Sequence, residues 1–142
     1  ALDSKPLRAF SPVMAGVRAT KAMKALFLLY VLLFVSGNAM AWELHITKKE
    51  FWAYETGPKI TKNEWLSLVK SDLSLTKDPD NSDDDFLFSY DGDTWPVWWN
   101  PDLGEIYTKN PPKPVIEKFK SIAKKLEAKV QDDDGKFYTL EP

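Results

Sequence analysis

Apolar and polar side chains alternate along Trp42-Glu43-Leu44-His45-Ile46-Thr47, the period of a strand with one buried face. "ETGPK" follows as a turn. At Thr61-Lys62-Asn63-Glu64 the spacing is that of a capping box, and Ile60 and Trp65 flank it as a hydrophobic staple. A helix is therefore predicted from there, through Leu66, Leu68 and Val69, to about Ser71. The polar, acidic stretch "TKDPDNSDDD" reads as a loop. Phe86, Phe88 and Tyr90 then fall on one face of a second strand, with "DGDT" as the turn into "WPVWWN". Pro96 cannot donate to a ladder, so that strand either lies at an edge or pairs only beyond the proline. "NPDLG" turns again into "EIYTK".

Asn110-Pro111 opens a second helix, with Pro114 in its first turn. Val115, Ile116, Phe119, Ile122, Ala123 and Leu126 form its apolar stripe, and Lys118, Lys120, Lys124 and Lys125 its wet side. "AKVQ", "DDDG" and "KFYTLE" close the chain as a hairpin or two short strands turning at Asp134-Gly135. The predicted order is β-α-β-β-β-α-β with a possible extra strand. That pattern predicts an α+β fold, a mainly antiparallel sheet of about four to six strands with two helices on one face.

Ahead of this domain, placed at 42–142, lies a leader at 1–41. From Met23 it has Lys24, the apolar run Ala25–Val35, the breakers Ser36 and Gly37, and Ala39-Met40-Ala41. Basic, apolar and A-x-A regions in that order predict a secretory signal cleaved after Ala41, with Ala39 and Ala41 as the small residues of the site. The apolar run is short of the ~20 residues of a spanning helix, but Ser36–Ala41 nearly complete it, so a retained anchor is the alternative. A core segment of a soluble domain is another. The basic prefix 1–22 also has the look of a transit peptide, and Met40 could itself start a cytoplasmic protein. Export to the periplasm or medium is the leading expectation, with the membrane reached only through an uncleaved leader.

Charge sharpens the division. Five basic residues against Asp3 give positions 1–41 a charge of +4, while the remainder, with 14 Lys, 20 acids and no Arg, carries -6. Such a body is a poor partner for nucleic acid, which needs clustered cations to neutralise phosphates. With no Cys there are no disulfides and no thiolate metal site.

The chemistry on offer is sparse. The chain has no G-x-S-x-G elbow, H-E-x-x-H pair, Walker loop or dinucleotide fingerprint, so no catalytic residue is assigned. His45, the only histidine, falls on the polar face of the first strand, which predicts a surface or half-buried side chain. One histidine excludes a multi-histidine zinc site within the chain, and neither a metal nor a cofactor is expected. An EF-hand loop fails from Asp78, whose sixth and twelfth positions hold Asp83 and Ser89, and from Asp91, where they hold Pro96 and Asp102. Two features remain as candidate binding residues. One is the cluster Trp95, Trp98 and Trp99, of which the adjacent pair must face opposite ways in a strand. The other is Asp83, Asp84 and Asp85, either a solvated loop or a docking surface for a basic partner.

"EWLSLVKSDLSL", "WWNPDLGEIYTKNP" and "IAKKLEAKVQDDDGKFY" resemble a group of small bacterial α+β proteins. Glu64-Trp65, Lys109-Asn110-Pro111 and Asp133-Asp134-Gly135 carry the likeness. It implies a fold and a bacterial source but no activity, and it lends weight to the alternative Met40 start. The expected function is a non-enzymatic, immunity-like domain that binds a basic protein; an exported carbohydrate- or envelope-binding module is the alternative.

Overall fold

The computed structural model describes residues 41–141. The leader features predicted at Met23, Ala25–Val35, Ala39 and Met40 lie outside the described residues. Among those residues, no helix is long and apolar enough to cross a membrane.

Strands β1 (Glu43–Thr47), β2 (Leu75–Lys77), β3 (Asp85–Tyr90), β4 (Asp93–Asn100), β5 (Glu105–Lys109), β6 (Lys129–Asp132) and β7 (Phe137–Tyr138) form one seven-stranded sheet in the order β2-β3-β4-β5-β1-β6-β7. Every adjacent pair is antiparallel. The α+β class holds, but the count exceeds the four to six strands expected. The added strand is β2, whose three residues are too few to display an alternation. Pro96 does not make β4 an edge strand: β3 pairs along its length, and β5 pairs only with Trp98–Asn100, past the proline.

Helix α1 (Lys62–Ser71) starts as the capping box dictates. Thr61 Oγ1 accepts the Glu64 amide at 3.1 Å, and the Glu64 carboxylate accepts the Thr61 amide at 2.8 Å. Ile60 and Trp65, the staple pair, are both buried. Helix α2 (Lys113–Lys125) starts at Pro112 without a side-chain cap and ends with Lys124 and Lys125, cations suited to the negative end of the helix dipole. Its stripe, Val115, Phe119, Ile122 and Ala123, joins Leu44, Ile46, Phe86, Val97, Ile106 and Val130 in one core. Those strand residues share a sheet face by register, and Trp65 meets Phe86 edge-on, so both helices cover that face.

Two glycines fix how the loops join this frame. Gly104, at φ +62°, lies so close to Lys59 that a Cβ would fall 2.3 Å from the Lys59 Cβ; its carbonyl accepts the Ile60 amide at 2.9 Å. Gly135, at φ +83°, turns β6 into β7 and meets the Phe51 ring, as the Asp-Gly pair predicted.

The helices are tied by Lys118 of α2, which pairs with Asp72 at the end of α1. Burial of Asp72 opposes its ionisation, but the Lys118 and Ser74 hydrogen bonds outweigh it and bring its pKa down to about 2. Glu64 is likewise lowered to about 2, first by its hydrogen bond from Lys48 and then by the Thr61 amide. A depressed carboxylate contributes stability that is complete above its unfolded pKa and is lost as pH falls through the folded one. Urea midpoints should therefore decline from about pH 4 towards pH 2, and Asp72→Asn should flatten that decline.

Candidate functional site

Because β1 pairs on both edges, its alternation is read against two neighbours. Leu44 and Ile46 face the helices, so Glu43, His45 and Thr47 face the other way, with Tyr107 and Gln131 opposite His45 on β5 and β6. A polar strand face predicts solvent. The segment after β1 instead folds back over it, and His45 is fully buried, contrary to the expectation for a lone surface or half-buried histidine. Trp52 is the cover: its ring stacks on the imidazole at 3.8 Å with 5° between planes. The Trp52 amide donates to Gln131 Oε1 at 2.9 Å, its Nε1 donates to the Asp133 carbonyl at 3.2 Å, and Gln131 Nε2 donates to the Glu50 carbonyl at 2.7 Å. Lys49 is buried within the same segment, its ammonium donating to the Tyr54 carbonyl; burial, then the charge of Lys59, lowers its pKa.

Around His45 the partners are acidic. Nδ1 lies 2.9 Å from Oε2 of the buried Glu105, and Nε2 lies 3.2 Å from Asp133 Oδ1 and 3.8 Å from Glu43 Oε2. Burial opposes the charged ring, but the hydrogen bonds to Glu105 and Asp133 and the charge of Glu43 outweigh it and hold the pKa above its ordinary value. Burial pushes Glu105 up more than His45 pulls it down. The result is a buried imidazole ringed by carboxyl groups beneath an indole lid.

The tryptophans separate by strand parity. Trp95 and Trp99 lean on the helix face, Trp95 Nε1 donating to Thr108 Oγ1 at 2.9 Å and Trp99 Nε1 to the Ile60 carbonyl at 3.2 Å. Trp98 is on the opposite face, half-buried, its ring 5.3 Å from Tyr107 and tilted by 34°. Tyr107 in turn lies 6.4 Å from His45. A row of rings, Trp98, Tyr107, His45 and Trp52, thus crosses β4, β5, β1 and the covering segment.

The acidic loop enters this row at one end. Asp85 is directly opposite Trp98 by register. Ser82, Asp84, Asp85, Trp98, Asn100 and Tyr107 line an open cleft of about 370 Å³ there. Asp85 accepts the Ser82 amide at 3.0 Å and its hydroxyl, and Asp84 has Lys62 at 3.9 Å. Asp83 turns away to pair with Lys77. Tyr107 has its pKa raised by burial and by the charges of Glu43, Glu105 and Asp85. Of the six residues proposed from sequence, Trp98, Trp99, Asp84 and Asp85 meet at the cleft; Trp95 and Asp83 do not. Sequence reasoning missed Trp52, Glu105, Tyr107 and Asp133. The one available signal was the aromatic pair Phe51-Trp52 in a stretch with no strand or helix period.

Comparison with protein-family models, curated proteins and solved structures gives no match to this chain.

Proposed function

We propose that this domain is a non-enzymatic, immunity-like binding protein whose cleft at Asp84, Asp85, Trp98 and Tyr107 takes a basic side chain of a protein partner. The observation that carries the reading is the pairing of a half-buried, tilted Trp98–Tyr107 floor with carboxylates at its rim. A guanidinium stacks on such rings while its N–H groups reach a carboxylate, and aromatic anchors of this kind dominate interface energies. The -6 charge of residues 42–142 suits it, since charge complementarity steers association with a cationic partner.

Titrating the full chain with an arginine-bearing peptide, followed by indole fluorescence, should give saturable binding that weakens as salt is raised. Trp98→Ala should reduce affinity about thirtyfold, equivalent to about 2 kcal/mol. Asp85→Asn should weaken it less and blunt the salt dependence. Ser82 and Asn100 beside the same ring suit a sugar stacked on Trp98 as a second reading. Binding of oligosaccharides that ignores salt and Asp85→Asn would favour that reading and set the first aside.

A further inference from the structure

Beyond Tyr107 from the cleft, the contacts of His45 hold more acceptors than a neutral ring can satisfy. With Glu105 accepting the Nδ1 proton at 2.9 Å, a neutral imidazole offers only a lone pair at Nε2. That lone pair faces two further acceptors, Asp133 Oδ1 at 3.2 Å and Glu43 Oε2 at 3.8 Å. Three electron-rich atoms converging on one point call for a positive species between them, either a second ring proton on Nε2 or a metal ion.

The other atoms of these groups are already held. Asp133 Oδ2 accepts the Glu43 amide at 2.9 Å, and Glu43 Oε1 has the Lys109 ammonium at 3.5 Å. Nδ1 of His45 is fixed by Glu105, and Trp52 clamps the ring. A histidine oriented by a carboxylate on its far nitrogen is the usual arrangement behind a metal-binding Nε2.

We propose that Glu43, His45 and Asp133 bind a divalent transition-metal ion of the zinc class, through His45 Nε2 and one oxygen of each carboxylate, with a further coordination position open to solvent. The spacing fits. Tetrahedral bonds of about 2.0–2.2 Å place ligand atoms roughly 3.3–3.6 Å apart; the two distances from Nε2 bracket that range, and all three ligand atoms lie within 4.8 Å of one another. Half-buried Glu43 and Asp133 leave the approach from solvent open. Calcium and magnesium fit poorly, since they favour all-oxygen shells of about six or more ligands, whereas imidazole suits zinc and its neighbours. The site thereby revises the expectation of no metal, which rested on counting histidines. It does not depend on the cleft reading.

The test uses the full 142-residue chain stripped with chelator. Calorimetric titration with zinc should show one ion per chain, and cobalt should give visible d–d bands, neither competed by excess calcium. Glu43→Gln and Asp133→Asn should each weaken binding at least tenfold with an unchanged circular dichroism melt. Undiminished binding in the double variant would overturn the proposal, because the ion would then belong to other acids. Should the variants fail to fold, the wild-type His45 ¹⁵N resonances decide. A zinc-induced shift confined to Nε2 supports the site, and an imidazolium protonated on both nitrogens and unmoved by zinc overturns it.

Discussion

Replacing His45 by leucine is expected to cost about 3–5 kcal/mol in metal-free buffer at neutral pH, while His45→Leu combined with Glu105→Leu recovers most of that loss. The single change keeps an apolar surface under Trp52 but removes the imidazole from the buried Glu105 carboxylate. A buried acid stripped of its partner carries the full desolvation penalty, which is why breaking such pairs is severe and replacing both members by apolar groups is often close to neutral. Asp133 and Glu43, half-buried at the rim, regain water and add little. Urea denaturation of the wild type, both single variants and the double variant supplies the cycle. Additive losses would mean that His45 and Glu105 are energetically independent, against the geometry.

The second large effect lies in the core. Trp65→Ala should destabilise by about 3–5 kcal/mol, a substantial share of the roughly 5–15 kcal/mol available to a domain of this size. Trp65 is fully buried on α1, its ring 5.3 Å from Phe86 and edge-on at 82°, so truncation opens a cavity between helix and sheet. Trp65→Phe should cost less than about 1.5 kcal/mol. Phenylalanine keeps most of the aromatic packing and removes an indole N–H that meets no acceptor among the described residues. Thermal or urea melts of the two variants should separate clearly; equal losses would show that the N–H, not the ring volume, was what mattered.

What could be read from the sequence was whatever rests on local chemistry. The Thr61–Glu64 box, the α2 stripe, the Asp134-Gly135 turn and the strand alternations are each complete within a few residues, and each formed as its pattern required. Strand β2 escaped notice because a pairing of Leu75–Lys77 with Phe86–Phe88 leaves no periodic trace in three residues. The candidate site was only half legible for a related reason. Trp98 and Asp85 are each conspicuous, but their adjacency is a matter of register between β3 and β4. The His45 cluster joins residues up to 90 positions apart. Its burial depends on Trp52, whose segment follows neither a strand nor a helix period. Alternation reports which face of a strand is polar; it cannot report that a later segment will fold over that face.

The sheet's two borders are short, β2 offering three residues and β7 only two. Unpaired backbone along a long, flat border invites a stranger's strand, and brevity is one of the ways proteins refuse it. Stacking of copies side by side into a continuous ribbon, or capture of an extended peptide as an eighth strand, therefore has little purchase here. The recognition proposed above would then fall to side chains on the ring-lined face rather than to backbone at the borders.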